Sequence, residues 1–434
     1  MAWLAKSSLV ETVMQDAAPI SELLHLLKDS LYEVRGAELD GKRLATLEAA
    51  GQLVYRAMTQ ESRCYHDLDH LFAVAREVPA LARLAVIYHD VVYLSVDGGM
   101  TPEISEKIGD VVSRCEGRVW LTAVPDELVS GVATIFGFSA GQELPLDAGL
   151  NEFLSAVLAV RELRAFLQDH DLWAIAACIE ATIPFRAPVD GKSPDDLLGD
   201  RIRALNLPSE KIESIQVLAV KVANADVQSF GKPDFGQFID NTWEILAETN
   251  RDFQEGGAYT IRTYREALCR MERFFHDLDP GVIWRRHGNV PDDEAYRILD
   301  ECSRANLRDA LIYLKSYIAA LSIVEALAVL TGGDGPISDL FGNAAMLAHV
   351  DVSAWHGSGR RFDRALLPLV ASVDEMLGRD GAVELRLRVQ EVHAGHRDWQ
   401  WFLDAAPKDV LRHVGLVMVQ GDVRRRERIG ALIR

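Results

Sequence analysis

Two neighbouring stretches of the chain, RCYHDLDH at residues 63–70 and AVIYHDVVY at residues 85–93, concentrate histidines and aspartates. In the second stretch, His89 and Asp90 interrupt a run of apolar side chains. A polar side chain inside an apolar helix is costly to bury unless it has a partner. The pattern therefore predicts a polar site that lies between helices.

Apolar residues recur at helical spacing along nearly the whole chain, and the alternation typical of β-strands is rare. Thr101 and Pro102 predict the start of a helix, with the threonine as its cap and the proline at the first helical position. We therefore predict an all-α fold. The predicted helices include Ser21–Leu31, Gly41–Met58, His66–Arg76, Leu81–Tyr93, Asn151–Asp169, Asp171–Ala181, Glu210–Ser229, Phe235–Asn250, Asp309–Thr331 and Arg361–Leu377.

The best candidate for a linker between domains is residues 277–293, which contain two prolines and two glycines. We expect a catalytic domain over residues 1–276 and a second helical domain, of undefined role, over residues 290–434. The apolar helices of the second domain could join two copies of the chain as a homodimer or cover the active site.

The chain of 434 residues has a formal net charge of −19, from 46 Lys and Arg against 65 Asp and Glu. A surface of this sign repels phosphate backbones, so we expect no long nucleic acid as a partner. A small anionic substrate is still compatible with this charge, because a bound cation inverts the local potential.

The cysteines are odd in number, widely spaced and without a C-x-x-C pair, which argues against a disulfide framework or a zinc ribbon. The N-terminus lacks the features of a secretory leader. The most apolar later stretch, Tyr313–Thr331, contains a lysine and a glutamate, so we expect a buried helix rather than a membrane span. We expect a cytoplasmic protein.

His66 and His70 are four residues apart, so a single helix would present both imidazoles on the same face. Adjacent residues on a helix point about 100° apart, so His89 and Asp90 reach one cation only at a cleft between helices. A third helix must complete the site. Asp226 is the natural candidate, because it ends an apolar helical run, whereas other aspartates lie in sequence that resembles a loop. Those competitors are Asp190, Asp195 and Asp196.

Two neutral imidazoles and two carboxylates suit a divalent cation and leave coordination positions for water and substrate. Such a cation activates a bound water and polarises a phosphoryl oxygen. His66 could then protonate the leaving oxygen as a general acid. The donor set is compatible with Mn, Fe, Ni, Co, Zn or Mg. The predicted metal ligands are His70, His89, Asp90 and Asp226.

The combination of Tyr65-His66-x-x-x-His70, then His89-Asp90, then a distant Asp226 resembles the HD superfamily of metal-dependent phosphohydrolases. It is most similar to the bacterial branch of predicted HD phosphohydrolases, and its first motif also resembles that of cyclic-nucleotide phosphodiesterases. The resemblance covers approximately residues 55–270 and implies an HD-domain helical bundle over the first domain.

The resemblance also implies roles for individual residues. Asp90 corresponds to the ligand that bridges two ions where two bind, and His66 to the protonating histidine of the phosphodiesterases. Glu103 resembles part of an acidic motif that follows in the bacterial branch, and we assign it a catalytic role; its alternative role is a first-turn acid favoured by the helix dipole. Arg63 and Tyr65, in the first motif, are assigned to substrate binding.

Arg186 follows an apolar helix and could clamp a phosphate bidentately, although it could equally be a surface residue of a loop. The predicted activity is hydrolysis of a small nucleotide-type phosphomonoester or phosphodiester. One alternative is a non-catalytic nucleotide-binding HD module that regulates through the C-terminal helices. Another is an iron-dependent HD-fold oxygenase, which the resemblance disfavours because His170 is the single histidine between Asp90 and Asp226.

Overall fold

A computed structural model of the protein describes residues 2–122, 126–145, 148–250, 260–335, 366–421 and 425–434. The chain is 70% helical and has one small three-stranded sheet among its described residues, so the predicted all-α class is confirmed. It divides into two compact units. The first comprises residues 1–231 and 279–301, and the second comprises residues 232–278 and 302–434.

The first unit is built from helices that follow one another through short connections. Their bounds are α1 (Ala2–Arg35), α2 (Gly41–Met58), α3 (Leu68–Ala75), α4 (Ala80–Tyr88), α5 (Pro102–Ile108), α6 (Glu127–Phe136), α7 (Leu150–Leu163), α8 (Asp169–Ala181), α9 (Pro194–Arg203) and α10 (Ser209–Asp226). Short 3₁₀ turns follow at Gln228–Gly231 and Pro280–Val282.

Helix α8 is the centre of the first unit, because it packs against α4, α7 and α10. Every residue from Leu172 to Ala181 is buried, which is expected because this helix has apolar side chains on all of its faces. A Cβ atom at Gly131 of α6 would lie 2.3 Å from the ring of Trp173, so this crossing depends on glycine. The end of α10 contacts both α3 and α4. This packing brings three distant segments of sequence to one place.

Helix α3 begins at Leu68, so His66 lies outside it, contrary to the predicted helix His66–Arg76. The reason is the side chain of Asp67, which caps the helix by accepting a hydrogen bond from the backbone N–H of His70 at 3.0 Å. His66 and His70 are therefore brought together by a turn rather than by one helical face.

Helix α4 ends at Tyr88, five residues before the predicted end of the helix Leu81–Tyr93. The backbone beyond it is held by the start of α7. Ser155 Oγ accepts a hydrogen bond from the N–H of Val92, and Asn151 Oδ1 accepts one from the N–H of Leu94, both at 3.0 Å. These side-chain acceptors replace the helical hydrogen bonds that the apolar pattern predicted.

The small sheet was not predicted. It is antiparallel and consists of β1 (Val112–Cys115), β2 (Arg118–Leu121) and β3 (Glu143–Leu144), in the order β1-β2-β3. The turn between the first two strands has positive φ at Glu116 and Gly117. Strands of four residues or fewer are too short to give an alternating pattern that stands out from helical sequence.

The second unit contains α11 (Phe235–Thr249), α12 (Ile261–Asp277), most of α13 (Asp293–Thr331), α14 (Leu367–His393), α15 (Trp399–Leu403), α16 (Lys408–Gly421) and α17 (Arg426–Ile433). Residues 361–365 of the predicted helix Arg361–Leu377 lie outside the described residues. Residues 232–278 belong to this unit, whereas the sequence had assigned residues 232–276 to the first domain. Trp243 explains the difference, because its ring packs at 5.5 Å from that of Tyr313 and 5.7 Å from that of Tyr317.

The predicted linker, residues 277–293, is largely part of the first unit. Ile283, Trp284 and Arg285 are buried, and Asn224 exchanges two hydrogen bonds with the backbone of Arg285, at 2.8 and 2.9 Å. Proline and glycine thus shape a packed loop here rather than an exposed connection between domains.

One helix in the described part of the chain, α13, is long and apolar enough to cross a membrane by composition. Of its most apolar window, 72% is buried inside the protein. This burial agrees with the predicted buried helix at Tyr313–Thr331.

Candidate metal centre

Four side chains from three parts of the first unit converge on one point. His70 comes from the first turn of α3, His89 and Asp90 follow the last residue of α4, and Asp226 is the last residue of α10. Their nearest donor atoms all lie within 4.8 Å of one another. The structure therefore brings together all the residues that the sequence predicted as metal ligands, and this group could hold a metal ion.

The imidazole nitrogens of the group face carboxylate oxygens. Nε2 of His70 lies 3.1 Å, and Nε2 of His89 lies 3.2 Å, from the same Oδ1 of Asp226. Nε2 of His89 also lies 2.8 Å from Oδ2 of Asp90, and Nε2 of His70 lies 3.9 Å from that oxygen. Two nitrogens and two oxygens thus point at a common centre.

The tautomer of His89 follows from its other ring nitrogen. Nδ1 lies 2.7 Å from the carbonyl oxygen of Val86, which only accepts hydrogen bonds, so Nδ1 carries a proton. In the neutral ring, Nε2 is then unprotonated, and its lone pair faces the oxygens of Asp90 and Asp226. Acceptors at this distance repel one another unless a positive charge, either a proton or a metal cation, lies between them.

The directions in which the pKa values of His89, Asp90 and Asp226 move agree with a positive charge between these atoms. Burial alone lowers the pKa of His89, but the negative charges of Asp90 and Asp226 outweigh it and raise that pKa well above its usual value. Burial would raise the pKa of Asp90, but His89 and His66 lower it. Burial would likewise raise the pKa of Asp226, but hydrogen bonds from His70 and His89 lower it.

Oδ2 of Asp90 is the clearest sign that the group suits a cation. This oxygen is buried, and while His89 is neutral it has no hydrogen-bond donor among the described residues, because the Nε2 atom 2.8 Å away is then itself an acceptor. A buried acceptor without a donor is costly, and a cation satisfies it. Imidazole nitrogen and carboxylate oxygen are ordinary ligands of divalent first-row metals.

His66 and Tyr65 lie beside the four residues. The centroid of the His66 ring is 5.4 Å from that of His70, and the His66 ring meets those of Tyr65 and Tyr93 edge to face, at centroid distances of 4.8 and 5.1 Å. The ring of Tyr65 also lies 4.8 Å from that of His70. A protonated His66 is close enough to lower the pKa of Asp90. Both residues therefore border the centre without belonging to the ligand group.

Arg63 differs from its expected role in substrate binding. Its side chain is 0% exposed, and Nε and Nη2 each donate to the carboxylate of Asp97 at 2.7 Å. Nη1 donates to the backbone carbonyls of Asp90 and His66. A guanidinium that is buried and fully engaged in this way cannot contact a substrate.

Glu103 and Arg186 are not among the residues that converge. Glu103 lies in the first turn of α5, where its half-exposed carboxylate accepts two hydrogen bonds from Arg56, at 2.5 and 3.0 Å. The terminal nitrogens of Arg186 donate to both carboxylate oxygens of the fully buried Glu180. A phosphate clamp by Arg186 would have to break that ion pair.

Glu152 is a residue near the centre that the sequence did not single out. It lies in the first turn of α7, next to Asn151, whose side chain accepts a hydrogen bond from the backbone that follows Asp90. Burial, followed by the charges of Asp90 and Asp226, raises its pKa to about 7, against the effect of its own backbone N–H. In sequence it resembles an ordinary first-turn acid, so no local signal could have distinguished it.

Comparison of the chain with known protein families, with curated proteins and with solved structures found no match. Another His-Asp dipeptide of the first unit, His170-Asp171, shows what such a pair looks like away from the centre. Its Nε2 and Oδ1 atoms are 3.3 Å apart, and the histidine is 38% exposed on α8. Convergence of distant segments, rather than the dipeptide, distinguishes His89-Asp90.

Proposed function

We propose that this chain is a metal-dependent hydrolase of phosphoesters, of the HD type that its motifs resemble, with a small nucleotide-type phosphomonoester or phosphodiester as substrate. The observation that carries the proposal is the meeting of two imidazole nitrogens with the oxygens of Asp90 and Asp226 within 4.8 Å. The unsatisfied Oδ2 of Asp90 and the protonated Nδ1 of His89 both favour a cation at that point.

His70, His89, Asp90 and Asp226 would hold a divalent ion, which would supply an activated water and polarise a phosphoryl oxygen. The hydrogen bond from Nδ1 of His89 to Val86 fixes the ring so that Nε2 faces the centre. Partners of this kind fix the orientation and raise the basicity of a histidine ligand. This hydrogen bond therefore fixes the orientation of the His89 ring independently of any bound ion.

His66 is suited to deliver a proton to the leaving oxygen. The rings of Tyr65 and Tyr93 each meet the His66 ring in an edge-to-face arrangement, which restricts its orientation, and the His66 ring lies beside that of His70. It is not grouped with the ligands, so an ion need not occupy its ring nitrogens. A histidine at this position can hold a proton at a ring nitrogen that faces the substrate.

The test begins with elemental analysis of the purified chain, followed by chelation and reloading with Mn, Fe, Ni, Co, Zn or Mg. Each form is assayed with nitrophenyl phosphate, bis-nitrophenyl phosphate and a panel of nucleotides. We expect turnover with at least one metal, loss of turnover in His89→Ala, and full turnover in His170→Ala, which alters the matched surface pair. Metal binding without turnover on any substrate would contradict the hydrolase and favour a nucleotide-binding module, and oxygen-dependent turnover with iron would favour an oxygenase.

A further inference from the structure

Arg63 and Asp97 form a buried ion pair beside the metal centre, across 34 positions of sequence. The Asp97 side chain is 4% exposed and that of Arg63 is 0% exposed. Both contacts from Nε and Nη2 are 2.7 Å long, so the pair is bidentate, which is the geometry that fixes a guanidinium most firmly. Burial of two charges is costly unless the geometry is good, so this pair is more than a surface contact.

The Nη1 atom of the guanidinium is directed at the backbone of Asp90, which belongs to the centre, and of His66, which lies beside it. Nη1 of Arg63 donates to the carbonyl oxygen of Asp90 at 3.0 Å and to that of His66 at 3.3 Å. Asp90 lies just past the C-terminus of α4, where carbonyl groups lack helical partners and a positive charge is favourable. One side chain therefore holds the backbone of a ligand and that of His66 at the same time.

Tyr93 adds a third connection. The guanidinium carbon of Arg63 lies 5.2 Å from the centre of the Tyr93 ring, and that ring meets the His66 ring at 5.1 Å. Stacking of a cation on an aromatic face is attractive, and more so where water is excluded. The orientation of the His66 imidazole is thus connected through Tyr93 to the position of Arg63.

We propose that the Arg63–Asp97 pair is a positioning device, which sets the distance and orientation of His66 relative to Asp90 and touches neither substrate nor metal. The inference rests on the proposed function for its consequence in catalysis. Its structural part, the placement of His66 and of the metal ligand Asp90, holds for the chain whatever reaction it performs.

The chain contains a matched control. Arg56 and Glu103 also form a bidentate pair, across 47 positions, but both side chains are about half exposed and they hold no backbone carbonyl of the centre. Arg56→Lys therefore disrupts a similar bidentate pair on the surface of the same unit, where such pairs contribute little.

The first measurement does not depend on activity. NMR spectra of the histidine rings are recorded for metal-free Arg63→Lys and Arg56→Lys. The His66 signals are assigned by comparison with His66→Ala. We expect the His66 signals to move in Arg63→Lys and not in Arg56→Lys, and the affinity for Mn²⁺ to fall about tenfold or more in Arg63→Lys alone. Unchanged His66 signals and unchanged affinity in a folded Arg63→Lys would overturn the proposal.

The second measurement uses turnover on esters with good and poor leaving groups. Misplacement of a catalytic group by about 1 Å costs on the order of 100-fold in rate, so we expect that loss in Arg63→Lys, greatest with the poor leaving group. In the His66→Ala background the same substitution should cost much less, because the group that it positions is gone. Equal losses in both backgrounds would contradict the positioning of His66.

A further variant covers the case in which Arg63→Lys does not fold. Tyr93→Leu keeps the buried ion pair and removes the ring between the guanidinium and His66, and we expect it to move the His66 signals with near-wild-type unfolding temperature. Unmoved signals would count against the proposal. If no phosphoester is turned over by the unaltered chain, the proposed function fails, whereas the spectra and the Mn²⁺ affinity still decide whether Arg63 positions His66 and Asp90.

Discussion

Nε2 of His89 lies 3.2 Å from Oδ1 of Asp226, although 137 positions of sequence separate these two residues. The contact joins the end of α4 to the end of α10, and both helices reach it by packing against α8. The centre therefore exists only when the core of the first unit is assembled. Binding of a cation there should stabilise the folded chain, because the unfolded chain has no such group.

The first prediction concerns Asp226. Asp226→Ala removes the carboxylate whose Oδ1 lies within 3.2 Å of the Nε2 atoms of both His70 and His89, so we expect loss of bound metal with little change in helical content. The stabilisation of the unaltered chain by metal, measured as the rise in unfolding temperature on addition of Mn²⁺, should vanish in this variant. His170→Ala is the control and should keep both properties. Retention of the full metal content by Asp226→Ala would remove the basis of the centre.

The second prediction concerns His66. Because His66 lies beside the ligand group but outside it, His66→Ala should retain metal content and metal affinity. We expect its turnover to fall on the order of 100-fold or more with a poor leaving group and by much less with nitrophenolate, which needs no proton. Equal losses for both leaving groups would contradict a role as proton donor.

Local sequence was sufficient for much of the fold. Helix α2 has the predicted bounds Gly41–Met58, and Thr101 caps α5 by accepting a hydrogen bond from the N–H of Ile104. These features depend on side chains and backbone only a few residues apart. The convergence of Asp226 with His70 was predictable for another reason, since a polar residue at the end of an apolar helix needs a partner.

The misplaced features depend on contacts that sequence spacing does not encode. Arg63 was expected to meet a substrate, but a buried carboxylate at Asp97, 34 positions away, engages it instead. Residues 232–276 were assigned to the first domain because the predicted linker begins after them. Their aromatic side chains, such as Trp243, pack against α13 of the second unit.

The third prediction concerns the pH dependence of stability in the metal-free chain. The pKa of Glu152 is about 7 in the folded chain, against a usual value of 4.5. The folded chain therefore holds an extra proton between these pH values, and its stability falls as the pH rises from about 4.5 to about 7. Glu152→Gln cannot ionise, so we expect it to raise the free energy of unfolding by roughly 3 kcal/mol at pH 8 and to change it little at pH 4.

The control for Glu152 is Glu127→Gln, which alters an exposed first-turn acid of α6 and should leave the pH dependence unchanged. Addition of metal should reverse the effect at pH 8, because the cation attracts the carboxylate of Glu152 and the neutral variant loses that attraction. If Glu152→Gln and the unaltered chain show the same stability at pH 8 without metal, the carboxylate does not experience the charges of Asp90 and Asp226.

The last prediction concerns the second unit, where Glu325 is fully buried in the apolar C-terminal part of α13. Its carboxylate accepts hydrogen bonds from Nε of Arg265 at 2.6 Å and from Nε of Arg262 at 3.0 Å, and Nη2 of Arg265 donates to Nε2 of His393 at 2.6 Å. Glu325→Leu would leave the buried charge of Arg265 without its carboxylate. We expect this variant to lose about 3–5 kcal/mol of stability, measured by chemical denaturation.

Two further variants separate the buried charge from simple loss of packing. Arg262 is 47% exposed, so Arg262→Ala should cost less than about 1 kcal/mol. Adding Arg265→Met to Glu325→Leu removes the unpaired charge and should recover most of the lost stability, because an apolar pair of similar volume can replace a buried ion pair. If the double variant is as unstable as Glu325→Leu alone, the loss comes from the shape of the α13 core and not from the charge of Arg265.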